Sequence, residues 1–259
     1  HAFQDELHRQ GYTLLVASSS YDPKIEEEQI RTLISRGADG LLLIGHDRSS
    51  EIIDYLEAHD IPALVAWAHD PNARLPSIGF DNFRAMSSLM KYILNLGHRE
   101  IGLISAKTEF NDRARYRLMA VQHGMIRAGL DPTTIRLIET QYGIKTGAVA
   151  FNEIISAPHP PTIIICGNDV LAAGALKKAK SLGISIPDDI SITGFDDIEL
   201  AQCVSPKLTT VHVPHREMGK QAAKTVIKMV NKEVFEKYKE LDIHLKIRQS
   251  LGKPKTNIL

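Results

Sequence analysis

"SITGFDD", residues 191–197, decides how this chain folds, together with its echo "SIGFDN" at 77–82. In both, β-forming residues run into Gly-Phe and stop at an acid. A buried strand that delivers a carboxylate to the edge of a parallel sheet has this pattern. Similar runs recur outward from it: "TLLVAS" (13–18), "GLLLIG" (40–45), "ALVAW" (63–67), "IGLIS" (101–105), "IRLIE" (135–139), "TIIIC" (162–166) and "DISITGF" (189–195). They are continuous in apolar residues rather than alternating, which predicts parallel sheets covered on both faces. Between them, helices are predicted over 24–36, 81–96, 113–128, 145–156, 169–182 and 215–231. In the 81–96 helix, Met86, Leu89, Met90, Ile93 and Leu94 share one face, and Gly97 is placed to end it. So many βα units exceed one mononucleotide-type sheet. The expected fold is α/β, with two doubly wound parallel-sheet lobes and a ligand cleft between them.

Length by itself leaves one large domain and two modest ones both open, since 259 residues lie near the size at which a single core stops growing. Lys+Arg and Asp+Glu are both 31, and no basic stripe interrupts the chain. These residues by themselves therefore lack the electrostatic footprint of a nucleic-acid binder. Cys166 and Cys203 fit neither a metal spacing nor a redox pair, which suggests either a reducing compartment, with the cytoplasm expected, or simply no demand on thiols. No apolar run is long enough to cross a bilayer, and no membrane partner is expected. The chain opens on "HAFQDELHRQGY", a helix already under way with neither a starting Met nor a signal peptide, so a preceding segment is expected.

In doubly wound lobes, ligands meet the carboxyl ends of the strands, so the residues there are the informative ones. "IIICGND" ends in Asn168 and Asp169, "SITGFDD" in Asp196 and Asp197, and "SIGFDN" in Asp81 and Asn82. Helix N-capping accounts for such residues in many α/β proteins and is the preferred reading of Asp81, Asn82, Asp169 and Asp197. Asp196 and Asn168 sit one position earlier, where capping and a cleft-facing side chain are both open. The chain contains no G-x-G-x-x-G, no G-x-x-x-x-G-K-[ST], no G-x-S-x-G and no H-E-x-x-H. No catalytic residue, metal ligand or cofactor is expected. Carboxylates and arginines without a nucleophile suit a binder of polyhydroxyl compounds, because Asp accepts from adjacent hydroxyls and Arg donates a fork back.

Three stretches carry a resemblance: "SITGFDDIELAQCVSPKLTTVHVPHREMGKQAA" (191–223), "PPTIIICGNDVLAAGALKKAKSLGISIPDD" (160–189) and "LGHREIGLIS" (96–105). Over essentially its whole length the chain resembles the effector-binding core of the lactose-repressor (LacI/GalR) family of bacterial transcription regulators, without the helix-turn-helix domain. The resemblance implies that Asp196 binds effector, that Asn168 is a second polar contact, and that Arg117, opening "RLMAV", is the donor. Tyr142 in "TQYGIKTG" takes the place of an aromatic that stacks on the ligand, and Asn111 and Asp112 are further contacts by position. At the end of "PALVAW", where several members carry a polar residue, this chain has its single tryptophan, Trp67. A stacking wall and a core position are both open there.

The resemblance further implies an N-terminal lobe of 1–80 plus 212–243 and a C-terminal lobe of 81–211 plus 244–259. The first strand of the N-terminal lobe is expected to be missing, along with the loop after it. It implies a homodimer with Cys203 and Val204 near the two-fold axis, and DNA contact only through the missing N-terminal domain. Effector binding would set the angle between the lobes and so control operator binding. A sugar or sugar derivative is the expected effector, with a purine as second choice. A periplasmic sugar-binding protein of a transporter shares the fold and is the alternative.

Overall fold

The computed structural model describes residues 1–255. In chain order its elements are α1 (Ala2–Arg9), α2 (Pro23–Ser35), β1 (Leu41–Ile44), α3 (Ser50–Ala58), β2 (Ala63–Ala66), β3 (Ser77–Gly79), α4 (Asn82–Asn95), β4 (Ile101–Ala106), α5 (Asp112–Arg127) and β5 (Arg136–Thr140). There follow α6 (Ile144–Ser156), β6 (Ile163–Cys166), α7 (Asp169–Ser181), β7 (Ser191–Asp196), α8 (Leu200–Cys203), β8 (Thr209–His212), α9 (His215–Val230), β9 (Tyr238–Glu240) and β10 (His244–Lys246). They form two compact units.

The N-terminal unit comprises His1–Asp81, Glu109–Arg113 and Pro214–Asp242. Its sheet runs β1-β2-β3-β9, with every pair parallel. Asp22 starts α2 by accepting from the amides of Lys24 and Ile25, with Pro23 at the first helical position. Ile30, Leu43, Ile52, Leu56 and Val65 pack together as its core. Gly79, the glycine of "SIGFDN", is required by packing: a Cβ there would lie 2.6 Å from the backbone of Ala68. Only glycine lets β3 run against the turn that follows β2.

One expected strand does not form. Residues 13–18 carry no strand assignment, and Leu15 and Val16 are 60% and 83% exposed. β-propensity alone supplies no hydrogen-bonding partner, and among the described residues no strand pairs with this run. A groove of about 940 Å³, lined by residues such as Leu14, Val16, Leu43 and Val230, lies alongside β1, whose Ile44 is exposed.

The C-terminal unit comprises Asn82–Thr108, Ala114–Val213 and the described residues from Ile243 on. Its sheet runs β10-β8-β7-β6-β4-β5, parallel except for β10, which pairs antiparallel with β8. Phe151, Ile164, Leu171, Leu176 and Ile192 are in its buried core. β5 departs from the expected two-sided burial. It is an edge strand whose residues alternate between half-buried and exposed.

The expected boundaries shift slightly. The chain passes between units at 81/82, 108/109, 113/114, 213/214 and 242/243, because Glu109–Arg113, expected in the C-terminal lobe, belongs to the N-terminal unit. Of the expected C-terminal lobe, residues 256–259 lie outside the described residues.

Candidate functional site

In the C-terminal unit, β4 leads to β5 on one side and to β6 on the other, so the topological switch lies between β4 and β6. Ligand-binding crevices open at the carboxyl ends of the strands that flank such a switch. Arg117, on α5, is placed there. It is 6% exposed and donates from Nη1 to the Gly167 carbonyl after β6 (2.7 Å) and from Nε to Asn82 Oδ1 at the start of α4 (2.9 Å). Its guanidinium carbon lies 3.7 Å from the ring centroid of Phe195 in β7. The expected donor is therefore also a clamp joining α4, β6 and β7.

Asn168 departs from the register read in the sequence. Its Oδ1 accepts from the Leu171 amide (2.9 Å), so Asn168, not Asp169, caps α7. What it retains toward a ligand is its amide NH₂, a donor. Asp169, expected as the cap, is buried: Oδ1 accepts from Thr210 Oγ1 (2.6 Å) and Oδ2 from the Ile198 amide (2.9 Å). Asp197 is likewise no cap. Its oxygens take Arg248 Nη2 (2.6 Å) and His212 Nδ1 (2.8 Å).

Asp196 ends β7 half-buried, and it and Asp197 have φ of 110° and 55°. Two consecutive left-handed non-glycine residues are strained, at about 1–3 kcal/mol each, and such residues concentrate at functional sites. Tyr142, in the loop after β5, is half-buried and packs against the core of its unit, which fixes its ring. Cys203 is exposed at the end of α8, whereas Val204 packs partly into the core.

In the N-terminal unit, Trp67 follows β2 with φ of 62°, half-buried, its ring 6.1 Å from that of His215. Asn111 is fully buried. Asp112 is committed to the protein: Oδ2 accepts from the His46 amide (2.7 Å), and Oδ1 accepts from the amide and Nη1 of Arg113 (both 2.9 Å). It shapes the loop after β1. Burial lowers the pKa of His46, against the opposing pull of Asp112 and Asp70. The sequence did not single out His46, or Asn82 as the partner of Arg117. The polar end of "SIGFDN" was the one available signal for Asn82. Among the described residues, no group of three or more His, Cys, Asp or Glu is arranged to hold a metal ion, and no helix is long and apolar enough to cross a membrane.

A family model described as a periplasmic binding protein-like domain matches residues 90–251. The HTH-type transcriptional repressor CytR of Escherichia coli K12 is 31% identical over 246 residues, spanning 93% of this chain and 70% of that protein. The HTH-type transcriptional repressor PurR of Vibrio cholerae is 32% identical over 242 residues, spanning 90% and 71%. Among solved structures, the transcription regulator GntR from Chromobacterium violaceum superposes with a TM-score of 0.88 at 26% identity, over 96% of this chain and 92% of that one. A LacI family transcriptional regulator from Enterococcus faecium, solved with bound ribose, superposes at 0.85 with 25% identity, over 98% and 92%.

Proposed function

Because the chain belongs to the LacI family of transcription regulators, whose effector-binding core it spans, we propose that it senses a small molecule at the carboxyl ends of its strands. The bound molecule then controls operator binding by a DNA-reading domain outside these residues. The observation that carries this reading is the set in the C-terminal unit. Asp196 is held on a strained turn, Asn168 is turned to donate by its own capping bond, and Arg117 is locked between Gly167 and Asn82. An acid that accepts from vicinal hydroxyls, an amide and a guanidinium are complementary to a sugar, and Tyr142 of the same unit offers a flat face to its C–H side. The bound ribose of the Enterococcus faecium regulator supports a sugar, with a purine second. Asp112 serves by holding the loop after β1 through the His46 amide.

Allostery requires that the effector bind two conformations unequally, since equal affinity shifts nothing. The working form is a cytoplasmic homodimer that pairs near Cys203 and Val204, and a monomeric mass in sedimentation would contradict it. The periplasmic transport reading is weaker, because CytR and PurR, alike over nine-tenths of this chain, are repressors.

A thermal-shift screen of the chain against sugars, sugar phosphates, sugar acids and purines tests the function. A ligand that binds only the folded state raises the melting temperature by mass action. The expected result is a hit among sugars that disappears in Asp196→Ala. A hit that persists in that variant would place the effector elsewhere.

A further inference from the structure

Asp169 has a role that capping does not explain. It lies 1% exposed at the start of α7 and reaches two other elements, Thr210 in β8 and the Ile198 amide beyond β7. Room for it exists only because residue 194 is glycine: a Cβ there would stand 2.3 Å from Asp169 Oδ1 and 2.7 Å from Leu208 Cδ2. The glycine of "SITGFDD" is thus tied to this carboxylate. Ile198 closes the turn formed by Asp196 and Asp197, the two strained residues. The Val213 amide, bonded to the Asp196 carbonyl (3.2 Å), holds the turn from its other side.

The charged surroundings are equally specific. Asp196 and Asp197 face Asp169 from the end of β7, and the Cys166 thiol faces it from β6. Asp197 is offset by Arg248 and by His212 of β8. Burial pushes the Asp169 carboxyl up to about 7, with Asp196 and Asp197 adding to the rise against the hydrogen bonds of Thr210 and Ile198.

We propose that Asp169 is a positioning residue for effector binding: its carboxylate, fixed between the Ile198 amide and the Thr210 hydroxyl beneath Gly194, holds the turn that presents Asp196 and couples effector affinity to a proton. This rests on the reading of Asp196 as an effector contact. Effector hydroxyls that donate to Asp196 spread its charge and weaken its repulsion of Asp169, so binding favours the ionised form. By linkage, the ionised form favours binding. Affinity therefore rises as pH rises through neutrality, and a one-unit displacement of the Asp169 titration on binding corresponds to about tenfold in Kd.

The experiment is a pH titration by NMR on the intact chain, read at the Asp169 carboxyl carbon and at the amides of Asp196, Asp197 and Ile198, with no ligand needed. All four signals should move together with a midpoint near neutrality, and the amide transitions should vanish in Asp169→Asn. Thr210→Val keeps the carboxylate but removes one donor, and should raise the midpoint. With D-ribose as probe, wild type should bind about three- to tenfold more tightly at pH 8 than at pH 6, and Asp169→Asn should show no such difference. The inference is overturned if Asp169 titrates in the ordinary carboxylate range, if the three amides ignore its titration, or if ribose binds wild type equally at both pH values. If ribose binding survives Asp196→Ala, or does not occur, the effector reading fails on its own, and the amide titration still decides whether Asp169 governs the turn.

Discussion

His98 is fully buried, and both ring nitrogens are within hydrogen-bonding distance of a partner: Nε2 lies 2.9 Å from the Gly252 carbonyl and Nδ1 2.9 Å from Thr162 Oγ1. The neutral ring satisfies both, donating from Nε2 and accepting at Nδ1. Burial, with Arg99 nearby, holds its pKa below the ordinary value. The folded state therefore binds fewer protons than the unfolded one. The His98 contribution to stability is present above the unfolded value and is lost as pH falls through it toward the depressed folded value. Asp169 has the opposite sign: its raised folded value makes its contribution present in acid and lost as pH rises toward about 7. Urea unfolding of wild type and His98→Gln at pH 5 and 8 separates the two. At pH 8 the variant should be about 1–3 kcal/mol less stable, and the gap should narrow at pH 5. A gap independent of pH would contradict the neutral, buried assignment. The residue types of the site could be read in advance, because Asp196, Asn168 and Arg117 stand at strand ends and helix starts. Their bonding could not. That Asn168 caps with its oxygen, or that Asp112 spends both of its own, depends on backbone positions brought together only by the fold.

Among the elements, helices were more legible than strands, for a physical reason. A helix satisfies its backbone within itself, and its start is marked by local chemistry, as with Asp22-Pro23 before α2, although α3, which Ser49 caps, was not foreseen. A strand exists only in company. The run at 13–18 has the composition of a buried strand yet stays unassigned, while "YKE" and "HLK", which no apolar pattern marks, become β9 and β10 because β3 and β8 offer them an edge. The paired Gly-Phe phrases could be read as strand ends, but the reasons for their glycines were hidden. Gly79 admits the Ala68 backbone and Gly194 admits the Asp169 carboxylate, and both neighbours are distant in sequence. The strained turns at Trp67 and Asp196 were likewise invisible to apolar periodicity, which reports burial and not φ.

At the scale of the molecule, charge is balanced, with 31 Lys+Arg against 31 Asp+Glu, and the proposed function makes this chain the sensor for a DNA-reading domain elsewhere. The chain passes between its two doubly wound units at 81/82, 108/109, 113/114, 213/214 and 242/243. The coupling such a sensor needs is modest, typically about 1–3 kcal/mol between effector and operator. The claim on which the rest depends is that Asp196 receives the effector. Calorimetric titration tests it most directly, taking the sugar or purine with the largest thermal shift into wild type and into Asp196→Ala. Loss of a charge-assisted acceptor from a desolvated site predicts saturable binding in wild type, and in the variant an affinity lower by about 2 kcal/mol or more, roughly thirtyfold. Superimposable isotherms from a folded variant would contradict it.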